Sequence, residues 1–355
     1  MGQKQKPSER ERGPSPTEMH SKRQRAMLDV AAHLLYDDDE ENAAENVIVL
    51  DDAEPPLAQR RASRRGPGAL APGSSADASV VVGVDPALLA DTNAVMDHLF
   101  CREKLWMVPP TFLDGQPAVT EASRAMLVDV IVDISMAYKM HDETVHLATT
   151  YLDMHLACAP VRRDDLHLLG VGCLLVASKF EEVHPPEIDD LVDRFSSDTN
   201  FWDRDDLLAM EQRVLHALGF TLSFATPAAF LRRFVGAPKL GGADPLPHLA
   251  AYLCELSLLD ASFVAFAPSL RAAAATCLAR AATGARPAWP RALAERTRCT
   301  AAQLAPCVGP MLALAKKAAT AHAGDLPYAS VRAKYSACSA LNVAATPMPR
   351  HLPPL

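Results

Sequence analysis

An all-α protein of two tandem helical bundles, preceded by a disordered N-terminal tail, is what the sequence predicts. Three observations carry this. From Asp85 onward apolar residues recur at helical spacing, and no stretch of six or more residues alternates with period two, so a sheet is not expected. Residues 1–85 differ in kind from the rest. And the helical plan is stated twice, with a joint near Thr226-Pro227, giving about five helices to each half.

The first 85 residues hold a basic stretch (Lys22, Arg23, Arg25), an acidic one (Asp37 to Glu41) and a second basic one (Arg60, Arg61, Arg64, Arg65). Pro, Gly, Ser and Ala fill much of the remainder, and Tyr36 is the one aromatic. Such a segment buries too little apolar surface to offset its ordering entropy.

The helices follow in order. Pro86–Glu103 is amphipathic, with Leu88, Leu89, Val95, Met96, Leu99 and Phe100 as its apolar set. Thr120–Tyr138 is hydrophobic on almost every face, broken mainly by Asp129 and Asp133, which makes it a central helix. Asp142–Ala157 opens on an expected Asx cap, and Arg163–Lys179 follows it. Asp203–Leu218 stops at Gly219, a C-cap signal. In the second half Leu246–Asp260 sets four leucines on one face, and Pro268–Thr283 is alanine-rich and halted by Gly284. Pro290–Arg298, Ala301–Ala321 and Tyr328–Ser339 complete the set. This divides the chain into a regulatory tail (1–85), a first helical domain with its preceding helix (86–225), a second (226–345) and a short end (346–355).

Composition narrows the function. The 355 residues are 49% hydrophobic and carry a net charge of −8, which argues against a basic nucleic-acid surface. Eight cysteines with no Cys-x-x-Cys pair read as reduced structural thiols. No apolar run reaches the roughly 18 residues of a membrane helix, and the polar start MGQKQKPSER is no signal peptide. A soluble, intracellular protein with neither nucleic-acid nor membrane partner is expected.

Catalytic patterns are not found. Gly170-Val-Gly172 begins like a dinucleotide loop, but without a preceding strand or a third glycine it reads as close helix packing. There is no P-loop, no His-Glu-x-x-His and no Gly-x-Ser-x-Gly. His141 and His146, five apart, read as surface or edge residues. Neither an enzyme nor a cofactor or metal site is expected.

One stretch resists a purely structural account. In "CLLVASKFEEVHPPE" (173–187) a core helix ends in Lys179-Phe180-Glu181-Glu182. A terminal lysine complements the helix dipole, and Pro185-Pro186 ends the helix. That does not explain why a buried helix delivers charge to one surface point, where Glu211 of "AMEQRVLHALGF" also points.

Together with "SRAMLVDVIVDISMAYKMHDETVHLATTYLDMHL", "LHLLGVGCLLVASKFEEVHPPEIDDLV", "HLAAYLCELSLLDASFVAFAPSLRAAAA", Trp289-Pro290 and the "KYS" at Lys334, these stretches resemble the cyclins, and among them the mitotic A/B type. The resemblance runs from about Asp85 to the C-terminus. It implies two tandem cyclin folds and a regulatory subunit that binds and activates a cyclin-dependent protein kinase in S/G2/M progression, moving the kinase helix whose glutamate pairs with the ATP-positioning lysine. Lys179 and Glu211 match the pair that grips the kinase, with Phe180, Glu181, Glu182 and Phe220 around it. Arg124 and Asp153 match an internal structural pair, and Leu168 a core position.

A docking groove for Arg-x-Leu peptides of substrates or inhibitors is implied at Ser123, Met126, Leu127, Val130 and Asp133, with Arg163, Leu166 and His167 opposite. The family usually has methionine, tryptophan and glutamine where this chain has Ser123, Val130 and His167, so docking is expected to be weak. In the tail, Arg25-Ala-Met-Leu28 fits the start of a destruction box read by a ubiquitin ligase, with His33 where the fuller motif has asparagine. Nucleus and cytoplasm are the expected locations. The rival readings are a helical scaffold without a kinase and a transcription-type cyclin-fold protein; a missing repeat period counts against the first, and a missing basic face or zinc ribbon against the second.

Overall fold

The computed structural model describes residues 86–196, 201–236, 244–321 and 327–351, with side chains from Asn93 on. The destruction-box residues Arg25 and Leu28, with the whole expected tail, lie outside these. Twelve α-helices run in order among the described residues, with no strand. They are α1 (Pro86–Leu105), α2 (Glu121–Ala137), α3 (Asp142–Cys158), α4 (Leu166–Glu181), α5 (Ile188–Phe195), α6 (Arg204–Ala217), α7 (Pro227–Val235), α8 (Pro245–Leu259), α9 (Pro268–Ala282), α10 (Arg291–Thr297), α11 (Ala301–Thr320) and α12 (Ala329–Ser336).

Helices α2 to α6 form the first bundle and α7 to α11 the second. Each is built around a helix with almost no polar face. In α4, Leu166 and everything from Leu168 to Ser178 are buried; in α8, Pro247 to Leu259 are. Gly170 is in α4 because α2 crosses there: a Cβ would stand 2.4 Å from Leu127 Cδ1. Gly172 does the same for α6, where a Cβ would meet Met210 Cγ at 2.8 Å. The glycine pair is helix packing, as its sequence suggested.

Helix starts follow their capping residues. Thr120 and Ser123 form a reciprocal capping box at α2, Asp203 and Asp206 at α6, and Thr300 and Gln303 at α11. The Asx cap expected at Asp142 is not there. Asp142 is already the first helical residue, and His141 before it makes no side-chain cap. The Asp142 carboxylate instead meets Lys334 Nζ at 2.8 Å, drawn by the ammonium of α12.

Two helices were not foreseen. α5 follows Pro185-Pro186, which reads only as a stop, and has eight residues with Leu191 alone buried. α7 begins at the presumed joint, where Thr226 caps Ala229 N–H and Pro227 fills the first turn.

Buried polar contacts tie the bundles to one another. Asp129, noted in sequence as a break in an apolar helix, is buried and accepts from Ser330 N and Oγ at 3.0 and 2.9 Å, so α2 anchors the start of α12. Glu103 of α1 likewise receives Ser269 N and Oγ at the start of α9. Lys334 spans Asp142 and the fully buried Glu255, which also accepts from Tyr335 Oη. The carboxyls of Glu103 and Asp129 are pushed above their ordinary range by burial, and the serine hydrogen bonds oppose this.

Candidate functional site

The end of α4 and the outer turns of α6 bring the charged pair together. Lys179 Nζ donates to both oxygens of Glu211, at 2.7 and 2.8 Å. The lysine side chain keeps 40% of its exposure and the glutamate 14%. An exposed pair of this kind adds about 0–1 kcal/mol to stability. Its geometry therefore holds two charges ready at a surface, with one spare donor on the ammonium.

Two rings on these elements are exposed, Phe180 next to Lys179 in α4 and Phe220 just past the end of α6. Phe180 is 47% and Phe220 63% exposed. Phe220 is held out by backbone design. α6 ends in a Schellman motif, with Gly219 N–H on His216 carbonyl and Phe220 N–H on Leu215 carbonyl. Gly219 takes φ 57° and Phe220 itself φ 58°. An aromatic residue in the left-handed region costs about 1–2 kcal/mol. The His216 ring packs edge-on at 5.3 Å, an aromatic neighbour for the phenyl.

Glu181 is half-buried, and Glu182 has a task within the molecule. Its carboxylate accepts from His141 N–H at 2.7 Å and from Thr144 Oγ1, capping α3 from the end of α4. With its side chain only 11% exposed, it braces the rim more than it adds contact area.

Arg124 and Asp153 form the internal pair that the sequence suggested. Nε and Nη2 donate to the two carboxylate oxygens at 2.6 and 2.7 Å, and both residues are buried. The third bond was not foreseen: Arg124 Nη1 donates to Leu258 carbonyl at 2.7 Å, so the pair also joins the two bundles. Leu168 is a core residue, 7% exposed.

The groove residues do converge. Ser123, Met126, Leu127, Val130, Arg163, Leu166 and His167 line one shallow depression between α2 and the start of α4. Asp133, a helical turn beyond Val130, is exposed but outside it. Leu127 does not belong to an exposed strip. It is 4% exposed because its side chain packs on Gly170, leaving Met126 at 42% as the open apolar residue. Ser123 spends its hydroxyl on the capping box, accepting from Thr120 N–H and donating to Thr120 carbonyl. His167 Nδ1 is buried without a partner, and its ring lies 6.3 Å from that of Trp202, which no sequence signal connects to the groove. Burial lowers the His167 pKa.

His146 is a correction. It is 2% exposed, because α3 is covered on nearly every face, and burial pulls its pKa down to about 3. His141, by contrast, is exposed. Among the described residues no group of three or more His, Cys, Asp or Glu is arranged to hold a metal ion, and no helix is long and apolar enough to cross a membrane.

Two five-helix bundles in tandem, locked by a buried Arg–Asp pair and presenting a Lys–Glu pair at one rim, define a class: the chain belongs to the cyclin family. The N-terminal cyclin domain matches residues 94–223 and the C-terminal cyclin domain residues 225–349. The chain is similar to Cyclin-A1 of Xenopus laevis, 34% identical over 276 residues, covering 76% of this chain and 63% of that protein. To Cyclin-A1 of Mus musculus it is 36% identical over 243 residues, covering 68% and 55%, and to Cyclin-A3-2 of Arabidopsis thaliana 37% over 227, covering 62% and 60%. It thus spans less than two thirds of the length of these relatives. Among solved structures it resembles a viral cyclin from herpesvirus saimiri, with a TM-score of 0.54 and 20% identity over 62% of this chain and 96% of that one. That likeness bears on the fold alone.

Proposed function

We propose that this chain is the regulatory subunit of a cyclin-dependent protein kinase, binding and activating it in cell-cycle control at S/G2/M, with no catalysis of its own. The observation that supports this best is the exposed Lys179–Glu211 pair, on the same two elements that expose Phe180 and Phe220. An ammonium and a carboxylate held side by side offer donors and acceptors to backbone groups, while open rings supply apolar area to a docked helix. The same surface would position the kinase helix whose glutamate completes the ATP site. The similarity to A-type cyclins disfavours a kinase-free scaffold or a transcription-type role. Weak docking of Arg-x-Leu substrates or inhibitors at the α2–α4 depression, turnover through a ubiquitin ligase acting on Arg25 and Leu28, and residence in nucleus and cytoplasm are parts of the same proposal.

The test is kinase activation at limiting cyclin. Truncating one partner of a hydrogen-bonded charge contact at an interface typically costs about 2–5 kcal/mol, a loss of roughly 30-fold to several-thousand-fold in affinity. Lys179→Ala and Glu211→Ala are expected to stay folded and fail to activate. A variant of either kind that activates like wild type would remove the pair from the interface.

A further inference from the structure

A second buried arginine, unlike Arg124, has no carboxylate. Arg271 lies in the first turn of α9, 8% exposed, and its hydrogen bonds among the described residues go to one hydroxyl: Nε and Nη2 both donate to Ser257 Oγ, at 3.3 and 3.0 Å. Burying a guanidinium without a counter-charge is costly, and proteins ordinarily pair or hydrate such a group. The surroundings do not balance it. Asp153 is shared with Arg124, which takes both its oxygens, and Glu103 is committed to Ser269. Two arginines against one aspartate leave the region one positive charge in excess.

Beside Arg271 is a cavity of about 40 Å³, larger than the roughly 10–15 Å³ that one water needs. Trp106, Arg124, Thr149, Thr150, Asp153 and Ser257 stand in its wall. Its hydroxyl protons are already used. Thr149 and Thr150 donate to carbonyls one turn back in α3, and Ser257 donates to Cys254 carbonyl while receiving Arg271. What remains unmet is the buried indole N–H of Trp106, which has no acceptor, and the charge of Arg271, which has no carboxylate of its own. An unmet donor and an excess positive charge facing one cavity favour an anion there, because water can meet the donor but cannot neutralise the charge.

We propose that this cavity binds one small monovalent inorganic anion of the halide type, held by Arg271 and Trp106. The bound ion neutralises the excess charge where α1, α3, α8 and α9 meet, and so ties anion binding to the cohesion of the two bundles. The surface carrying Lys179 and Glu211 has no part in it.

The experiment is thermal melting of the full chain at constant ionic strength, with chloride replacing gluconate, a far larger anion. A ligand bound only by the folded state raises its melting temperature by roughly 3–5 °C per tenfold increase above Kd for a protein of this size. Wild type is expected to show that rise, and crystals in bromide to show an anomalous peak between Arg271 and Trp106. Arg271→Met is expected to lose the chloride dependence and to melt higher than wild type in gluconate, having no unpaired charge to bury. Trp106→Phe, which keeps the charge and removes one donor, is expected to need several-fold more chloride for the same rise. A wild-type melting temperature indifferent to chloride means water fills the cavity and overturns the proposal. So does a chloride dependence that survives Arg271→Met.

Discussion

Replacing Arg124 by methionine keeps the aliphatic stem and deletes the guanidinium, so its effect can be worked from three hydrogen bonds. Two go to Asp153 and one to Leu258 carbonyl, all between 2.6 and 2.7 Å. Arg124 is 1% exposed and Asp153 4%, so the aspartate left behind is poorly hydrated. One-sided loss of a buried pair costs roughly 3–5 kcal/mol, a large share of the stability of a domain. At about 2–4 °C per kcal/mol for chains of this size, the melting temperature is expected to fall by roughly 6–20 °C. Lys179→Ala is the control: its pair is 40% exposed on the lysine side, worth about 0–1 kcal/mol, and the melting temperature should move by less than about 4 °C. The assay is circular-dichroism melting of both variants alongside wild type, with kinase activation measured in parallel below the melting range. Arg124→Met is expected to lose heat resistance first and activation only through it; Lys179→Ala should show the reverse. Superimposable melting curves for the two variants would refute the reasoning, since then burial of the pair contributes nothing that surface exposure does not.

Phe220→Gly relieves a left-handed aromatic residue and should raise the free protein's stability by about 1 kcal/mol, while lowering kinase affinity through loss of the exposed ring; a variant both less stable and fully active would contradict both roles. Acid should destabilise the fold through His146 and His155, whose folded pKa values, about 3 and about 4, lie below the unfolded one near 6.5 because burial disfavours their charge. Their contribution is complete above pH 6.5 and is lost as pH falls towards those values, roughly 2 kcal/mol for each at pH 5, so the urea midpoint should drop between pH 7.5 and 5 and drop less in a His146→Asn, His155→Gln variant; equal drops would show the histidines do not titrate this way. Val130→Trp should restore on the order of 100 Å² of apolar contact to the α2–α4 depression, up to about 2 kcal/mol or some tens-fold in Arg-x-Leu peptide affinity. Ser123 is left in place there because it caps α2, and no gain in peptide affinity would deny the depression that role.

What could be read from the sequence, and what could not, divides by how local the cause is. The long helices were legible because apolar spacing, a capping residue and a following glycine all lie within a few positions of the element they define, as at Asp203 and Gly219 of α6. α5 and α7 were not, because eight or nine residues give barely two turns of periodicity, and prolines at their starts read as stops. Lys179 was legible as a charge out of place at the end of an apolar helix, while its pairing with Glu211 was carried by the family resemblance, since α6 buries only Leu207, Met210 and Val214. Glu182 looked the same, yet its carboxylate caps α3, and only the fold reveals that the start of α3 lies beside the end of α4.

The same limit explains the polar residues that sequence periodicity counts as blemishes. Asp129, Glu143, Glu255 and Arg271 each sit in an apolar helix where one charge looks like a fault, and each is buried. For three of them the partner comes from far along the chain: Ser330 for Asp129, Arg232 with Thr226 for Glu143, Lys334 with Tyr335 for Glu255. A charge is tolerated in a core only where something meets it, so each fault in the pattern is a claim that a partner exists. Three of the four claims are met by residues that bind one bundle, or its final helix, to another element. Arg271 alone is met only by one shared serine hydroxyl, and the physics that assigns partners to the other three assigns it a further one, the role proposed for the anion.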